Sequence, residues 1–363
     1  MIFNKSRLVT ILSLGPKFMT PYKIKLFFCI SLSIILHISC QKKEPSVGFY
    51  YWKTNYKSDT LSQKMIQDLK SNTLFVRIMD IDFNEGGIEP VPISPISFEQ
   101  TLPSNQALVP VVFINQRIFT ELDSLQIRGI AHKMIPFVSE KVKQSGKEDF
   151  KELQIDCDWT KSSRDKFFYL LEYLQKIPEL NEVTITTTLR LHQVKNIQSS
   201  GIPPVKRATL MCYNMGNLRQ FGDHNSILNQ QDLTTYLSGT LKEYPLELDI
   251  ALPLFDWYVA FRDHQYIGIS KYIDKSDLDD KSLFTRNPKT ELFILNQDLQ
   301  KANLKKGDVI RHEFITKEQL IATAKFLNKE LQGKEKRIIF YHLAPEVLSN
   351  YNYADLQEVI AAF

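Results

Sequence analysis

The sequence predicts an α/β fold, a (β/α)8 TIM barrel with a small α+β insertion after its seventh strand. Eight apolar runs of strand length alternate with amphipathic segments along most of the 363 residues. The runs are continuously apolar, which indicates strands buried on both faces, as in parallel sheets. A barrel needs about 250 residues, which this chain supplies. An open doubly wound sheet is the alternative, but no glycine-rich phosphate loop follows any of the strands.

The predicted elements follow one another in a regular order. The strands are 47–52, 73–81, 108–114, 152–157, 183–191, 208–213, 248–254 and 337–341. The helices are 61–70, 124–144, 163–176, 231–243, 317–331 and 353–362, because their apolar residues recur at helical spacing. A Pro-rich loop covers 89–103. The insertion is predicted at about 261–315, which has strand-like runs of its own at 266–269, 291–295 and 308–314.

The composition is that of a globular protein, with 43% hydrophobic and 24% charged residues. The chain has 23 Phe and 15 Tyr residues, too many aromatic residues for a disordered chain. Its four Cys residues exclude a disulfide scaffold, and no CxxC pair or cluster of His residues indicates structural zinc.

The first 39 residues predict a signal peptide, whose start is either Met1 or Met19. Lys23 and Lys25 precede an apolar run at 26–38 that is too short to span a bilayer, which takes about 20 residues. Ser39 directly before Cys40 resembles a bacterial lipobox, which implies that Cys40 is lipidated. Residues 40–46 are then a lipid-anchored tether and 47–363 the barrel. An ordinary cleaved signal with an incidental Cys40 is the alternative.

The net charge of +4 belongs to this leader. Residues 1–39 contain five basic and no acidic residues, so the remainder has 40 basic against 41 acidic residues. We therefore expect no nucleic-acid partner. The predicted location is the cell envelope, with the protein anchored by lipid to a membrane and facing either the periplasm or the cell surface.

Polar and aromatic side chains gather where the predicted strands end, which in barrels is where the chemistry takes place. They include Asp80, Asp82, Asn115, Gln116, Asp156, Asp158, Trp159, Arg190, His192, Gln193, Tyr213, Asn214, Asp256, Trp257, Tyr341 and His342. Any one of them has a plain alternative as a strand-end cap or a solvated loop residue.

Aromatic rings stack on sugar rings, and carboxylates, amides and Arg bind sugar hydroxyls. The predicted substrate-binding residues are Asp82, Trp159, Arg190, His192, Gln193, Asn214, Asp256, Trp257 and Tyr341. Tyr50, Tyr51 and Trp52 either line the mouth or pack beneath it, and we expect at least one of them in the core.

The fourth strand carries the most specific motif, Asp156 and Asp158, two residues apart. Side chains alternate along a strand, so both carboxylates point to the same face. Close carboxylates raise each other's pKa and can divide into an acid and a charge stabiliser. The alternative is an ion pair with Arg77 or Arg190. We predict Asp158, Asp156 and Tyr213 as catalytic residues, and we expect Asp156, Asp158, Tyr213, Asn214 and Asp256 to converge on one pocket.

Two segments resemble motifs of the family-18 glycoside hydrolases, the chitinase-like barrels. Ile-Asp-Cys-Asp-Trp-Thr at 155–160 is similar to the end of their DxxDxDxE motif, and Met-Cys-Tyr-Asn at 211–214 resembles their M-x-Y-D. The family often carries an insertion after its seventh strand. The resemblance implies that Asp158 orients a substrate acetamido group with help from Tyr213. It also places Leu153 at the motif's first Asp, Thr160 at its catalytic Glu, and Asn214 in place of an Asp.

Two functions remain open at this point. One is a glycoside hydrolase whose acid is Asp158, Asp82 or Asp256, because a Thr hydroxyl is too weak an acid. The other is a barrel that binds a glycan without cutting it. A metal-dependent hydrolase is a third alternative, but the sequence has no HxH or HExxH motif. We therefore predict no metal and no cofactor, with a glycan and a membrane as partners.

Overall fold

The computed structural model describes residues 45–87, 89–332, 334 and 337–363. The predicted signal peptide, Cys40 and the tether up to residue 44 lie outside the described residues. Eight parallel strands form the main sheet: Ser46–Tyr51 (β1), Thr73–Phe83 (β2), Ala107–Ile114 (β3), Glu152–Asp156 (β4), Thr184–Arg190 (β5), Arg207–Met211 (β6), Glu247–Pro253 (β7) and Arg337–Tyr341 (β8). Each strand pairs with the next, and β8 pairs with β1. The sheet is therefore a closed barrel, which confirms the predicted fold class.

The helices are Thr60–Asp68 (α1), Arg117–Glu121 (α2), Ser124–Gln144 (α3), Arg164–Leu174 (α4), Leu191–Lys195 (α5), Ile197–Ser200 (α6), Gln230–Leu237 (α7), Lys275–Asp279 (α8), Lys317–Leu331 (α9), Pro345–Leu348 (α10) and Tyr353–Ala361 (α11). Helix α3 begins at a capping box, in which Asp123 and Gln126 bond each other's backbone N–H groups. Its buried residues repeat at helical spacing, as the sequence predicts. None of the helices in the described part of the chain has the length and apolar character needed to cross a membrane.

Several connections differ from the prediction, and unpredicted short helices, α2 and α10, also lie between β3 and α3 and between β8 and α11. The predicted helix 231–243 ends at Leu237, because Gly239 takes a left-handed backbone conformation (φ 72°), and a short 3-10 turn at Leu241–Glu243 follows. The Pro-rich loop contains a strand, Pro90–Ile93, that pairs antiparallel with the extended end of β2. Two short helices, α5 and α6, follow β5 where none was predicted.

The insertion is a five-stranded antiparallel sheet with helix α8. Its strands lie in the order Gln265–Ser270, Trp257–Arg262, Val309–Glu313, Leu292–Leu295 and Phe284–Arg286. The sequence predicted three of them, but not those at 257–262 and 284–286. The sheet has a small hydrophobic core of its own, which includes Ala260, Phe293 and Ile310.

Polar side chains from opposite strands fill the inside of the barrel. At the end where the strands begin, Arg337 on β8 reaches across to Glu152 on β4 with Nη1–Oε2 and Nη2–Oε1 distances of 2.9 and 3.0 Å. It also bonds Asp249 on β7, and its guanidinium lies 4.6 Å from the ring centroid of Phe75. This network forms the floor of the barrel.

A second layer lies above the floor. The Tyr50 hydroxyl donates to Gln154 Oε1 at 2.6 Å, and Gln154 Nε2 donates to Thr209 Oγ1 at 2.9 Å. Gln154 and Thr209 are fully buried or nearly so. Above these two layers, space inside the barrel remains at the carboxyl ends of the strands.

Candidate functional site

A cavity of about 80 Å3 opens at the carboxyl ends of the barrel strands. Its lining residues are Tyr50, Trp52, Asp156, Thr188, Met211, Tyr213, Asn214 and Tyr341. We call it the mouth cavity. A smaller space of about 40 Å3 shares Tyr213 and Asn214 with it and is also lined by Arg190, His192, Met215 and Tyr236.

Aromatic rings form much of the wall of the mouth cavity. The ring of Tyr341, at the end of β8, lies 5.1 Å from that of Tyr213 and 5.6 Å from that of Trp52, measured between centroids. Tyr50 completes the group, 5.8 Å from Trp52. The peptide bond that follows Tyr341 is cis. A wall of this kind presents π-faces and edges to a ligand.

Asp156 is the buried carboxyl of the mouth cavity. Thr188 Oγ1 donates a hydrogen bond to Asp156 Oδ1 at 2.5 Å. Burial, together with the negative charge of Asp158, raises the pKa of Asp156 to about 7. The carboxyl can therefore hold or release a proton near neutral pH, which is the property expected of a general acid or base.

Asp158 stands beside it, in a tight ion pair. Arg190, the last residue of β5, donates from Nε to Asp158 Oδ1 at 2.6 Å and from Nη2 to Oδ2 at 2.8 Å. This is one of the two ion pairs that the sequence analysis left open. Both carboxylate oxygens accept from Arg190, which fixes the orientation of the carboxylate, and each oxygen keeps a second lone pair that can accept a hydrogen bond from a ligand. The charges of Asp158 and Asp156 outweigh burial and raise the pKa of Arg190.

The three inward positions of this segment are Gln154, Asp156 and Asp158, since each contacts a residue of another strand inside the barrel. Thr160 does not continue that series. Its hydroxyl lies 3.0 Å from Ser162 Oγ, in the turn that leads into α4, and its side chain is exposed. The correspondence of Thr160 with the catalytic Glu of family-18 hydrolases therefore stays a prediction, and Asp158 is the outermost inward carboxylate here.

Tyr213 and Asn214 follow β6 and line both spaces. Burial raises the pKa of Tyr213, so its hydroxyl stays protonated and can donate. Asn214 has a left-handed backbone (φ 54°), a conformation that Asn tolerates better than most residues. His192 lines the smaller space and is exposed as a whole residue, but partial desolvation of its ring, together with the positive charge of Arg190, lowers its pKa.

Two predicted ligand residues lie in the protein interior instead. Trp159 is 1% exposed, stacks on Phe167 of α4 at 5.1 Å, and donates from its indole nitrogen to Ser200 O. It points to the helix layer because it is out of phase with Asp158. Gln193 is also 1% exposed, and its amide bonds Trp159 O and Arg190 N. Trp159 and Gln193 therefore pack behind Asp158 and Arg190 and do not line the mouth cavity.

Three further predicted residues contact other parts of the molecule. Asp82 pairs with Arg117 and accepts from Asn115, and these contacts outweigh burial and lower its pKa. Asp256 Oδ2 bonds His312 Nε2 of the insertion at 2.9 Å. Trp257 begins the first strand of the insertion and packs edge-on against Phe255. The lining of the mouth cavity includes none of these three.

Sequence reasoning missed Thr188 and Met211, and it left Tyr50 and Trp52 undecided. Thr188 stands two residues before Arg190 on β5, and Tyr50 stands two before Trp52 on the first strand segment. Residues two positions apart on a strand share a face, so this spacing could have identified them as lining residues. In the part of the chain that the structure describes, no three His, Cys, Asp or Glu side chains are arranged to hold a metal ion.

The fold is similar to solved structures of chitinases and of a spore cortex-lytic enzyme. The Bacillus megaterium spore cortex-lytic enzyme SleL is 13% identical, with a TM-score of 0.53 over 89% of this chain and 75% of its own. The group IV chitinase of Ostrinia furnacalis, in complex with allosamidin, is 13% identical (TM-score 0.51, over 88% of this chain and 98% of its own). A plant class V chitinase mutant from Cycas revoluta, in complex with (GlcNAc)3, is 11% identical (TM-score 0.51, over 87% and 99%).

No protein-family model matches the sequence, and no curated protein matches it. At identities this low, the similarity concerns the fold alone. The chain has the barrel fold of these chitinases and of SleL, and its carboxylates and aromatic rings lie at the end of the barrel where such folds place their chemistry.

Proposed function

We propose that this protein binds a glycan that carries N-acetyl groups through the mouth cavity of its barrel. The composition of the cavity carries this proposal, since it combines a wall of Tyr and Trp rings with a buried carboxyl, Asp156, whose pKa is raised to about 7, and an amide, Asn214. Rings pack against sugar faces, and the polar groups supply hydrogen bonds. The solved chitinase from Cycas revoluta, whose fold is similar, holds (GlcNAc)3.

The size of the cavity limits what enters it. A volume of about 80 Å3 is well below the roughly 300–1,000 Å3 of small-molecule sites. One substituent of the glycan fits inside, and we infer that this is an acetamido group. The remaining sugar units then lie across the rim, where the smaller space beside His192 and Tyr236 continues the cavity.

Calorimetric titration with (GlcNAc)3 tests the proposal, with cellotriose as the matched oligosaccharide that has no acetamido group. We expect (GlcNAc)3 to bind and cellotriose to bind much more weakly. Trp52→Ala should weaken (GlcNAc)3 binding by about tenfold, because it removes one ring of the wall. Asp165→Asn, at an exposed site on α4, is the control and should change nothing. If the unaltered chain binds neither oligosaccharide, or both equally well, the proposal is wrong.

Hydrolysis of the bound glycan is the second candidate function. The observation in its favour is the pair of neighbouring carboxyls, one of which has a pKa of about 7. The observation against it is that Arg190 holds Asp158 in a two-point ion pair, and that Asp158 is not among the residues that line the mouth cavity. Incubation with longer GlcNAc oligomers decides between the two. Turnover that Asp158→Asn abolishes indicates a hydrolase, whereas binding without turnover in both proteins indicates a binding module.

We also propose that the chain is exported and acylated at Cys40, so that the barrel is held at a membrane of the cell envelope. The support is the basic and apolar leader and the Ser39-Cys40 junction. In a detergent phase-partition assay of cells that express the full chain, the protein should enter the detergent phase. Cys40→Ser should move it to the aqueous phase, whereas Cys29→Ser should not. If Cys40→Ser leaves the partition unchanged, Cys40 is not the anchor.

A further inference from the structure

A buried ion pair in the insertion holds the loop that carries part of the mouth cavity. This loop, residues 212–229, connects β6 to α7 and includes Asn214. Arg311 and Glu313 stand on the last strand of the insertion, two residues apart and therefore on one face. Both side chains are 1% exposed, and Arg311 Nε donates to Glu313 Oε1 at 2.7 Å.

Arg311 binds the middle of the loop through backbone carbonyls. Its Nη1 donates to Gln220 O at 2.7 Å and to Gly222 O at 2.9 Å, and its Nη2 donates to Leu218 O at 3.0 Å. The guanidinium also lies 5.0 Å from the ring centroid of Phe261, in the same insertion. One side chain thus gathers three carbonyl oxygens of the loop around one positive charge, a set of charge-assisted hydrogen bonds.

Glu313 binds the far end of the loop. Its Oε2 accepts from the backbone nitrogen of Ser226 at 2.6 Å and from Ser226 Oγ at 2.7 Å. Asn225 Nδ2, next to it, donates to Phe314 O at 2.8 Å. The position of Ser226 is therefore set by the insertion.

Ser226 in turn fixes the start of the loop. The N–H of Gly216 donates to Ser226 O at 3.1 Å, and a Cβ atom on Gly216 would lie only 2.9 Å from the Cα of Ser226. The two segments therefore touch backbone to backbone, which only glycine allows. Gly216 is two residues from Asn214, which has a left-handed backbone and lines the mouth cavity.

We propose that Arg311 and Glu313 are positioning residues of the mouth cavity. They act through Ser226 and Gly216 to hold Asn214 in place for the ligand. The identity of the ligand in this inference rests on the proposed function. The restraint on the loop does not, because it is a property of the free protein. The insertion is then part of the binding machinery, although its strands contribute no residue to the lining of the cavity.

Gly216→Ala tests the contact while leaving the ion pair intact, and Glu313→Gln tests the ion pair. Hydrogen exchange followed by mass spectrometry should show faster exchange in peptides from 212–229 and unchanged exchange in the barrel strands. Affinity for (GlcNAc)3 should fall by about tenfold in each variant, the value of one lost hydrogen bond. The controls are Gly129→Ala, where a Cβ meets open space, and Glu291→Gln, in an exposed pair of the same insertion.

A double variant shows whether the effect passes through Asn214. Asn214→Gly removes the side chain and still allows the positive φ. Gly216→Ala added to Asn214→Gly should then cost little further affinity. Full additivity, or loop exchange as slow as in the unaltered chain, overturns the inference. If the unaltered chain binds no (GlcNAc)3, the proposed function fails, and the exchange measurement alone decides whether the insertion restrains the loop.

Discussion

At the scale of single residues, Asp156 has a strongly raised pKa. Its carboxyl is buried in the mouth cavity beside Asp158, and these two causes raise its pKa to about 7. An unfolded chain would release this proton near pH 3.9. Folding therefore binds a proton at every pH between these two values, and this gives the stability of the protein a definite dependence on pH.

The direction of this pH dependence of the free energy of unfolding can be predicted. The stabilisation from protonated Asp156 is complete below about pH 4 and is lost as the pH rises toward 7. Relative to Asp156→Asn, the free energy of unfolding of the unaltered protein should fall by up to about 1.4 kcal/mol per pH unit in this window. Denaturant unfolding at several pH values measures it, with Asp165→Asn as the control. Parallel pH profiles of the unaltered protein and Asp156→Asn would contradict the prediction.

The residues of the site differ in how well the sequence predicts them. The spacing of Asp156 and Asp158 was enough to place both carboxylates on one face. The same rule puts Trp159 on the opposite face, yet its aromatic chemistry favoured a ligand role, and the structure packs it on Phe167. Gln193 and Asp256 were predicted from their position near strand ends. Their partners, Trp159 O and His312, are distant in sequence, and spacing alone does not reveal such contacts.

At the scale of elements, the floor of the barrel links β4, β7 and β8 through Arg337. Two carboxylates, Glu152 and Asp249, converge on this one cation, and all three side chains are largely buried. The charges of Glu152 and Asp249 outweigh burial and raise the pKa of Arg337. Removing the cation leaves two buried carboxylates without their partner, which is costly.

We therefore expect Arg337→Met to destabilise the protein by about 3–5 kcal/mol. The matched control is Arg286→Met, at the exposed pair with Glu291 in the insertion, which should cost about 1 kcal/mol or less. Urea unfolding monitored by circular dichroism compares the two. A similar loss in both variants would show that the floor network contributes no more than an exposed pair.

Strand and helix identities were predicted better than their connections. All eight barrel strands were expected, because continuous apolar runs indicate burial on both faces. The end of α7 was not expected. Gly239 ends the helix through its left-handed backbone conformation, which the spacing of apolar residues does not reveal. The prolines of Pro90–Ile93 predict a loop, because proline is rare in strands, but this strand lies at the edge of the sheet, where its missing N–H groups are tolerated.

At the scale of the whole molecule, the described chain has two hydrophobic cores. One fills the barrel and its helix layer, and the other lies within the insertion around Ile310. The insertion was predicted from three strand-like runs. Its first strand, 257–262, was missed because Asp256 and Trp257 were assigned to the end of a barrel strand, although Trp257 already pairs with Glu313 in the second sheet.

The two cores should respond separately to substitution. Ile310→Ala removes buried volume from the small core and should cost about 2–5 kcal/mol locally. Amide exchange in 257–313 should then accelerate while the barrel strands keep their protection. Ile339→Ala, at a fully buried position of β8, should instead weaken protection throughout the barrel. If Ile310→Ala accelerates exchange in both regions equally, the insertion and the barrel unfold as one unit.

The floor of the barrel also determines the path by which a ligand enters and leaves the mouth cavity. Arg337 and its carboxylate partners close the amino-terminal end of the barrel, and Tyr50, Gln154 and Thr209 close the layer above. The mouth cavity is thereby closed beneath by side chains of the barrel interior and open at the carboxyl ends of the strands. Water displaced by an arriving group has to leave past the same residues that the group enters by. Exchange at this site is therefore governed by the rim, and the dwell time of a bound molecule depends on how freely the segment around Asn214 gives way.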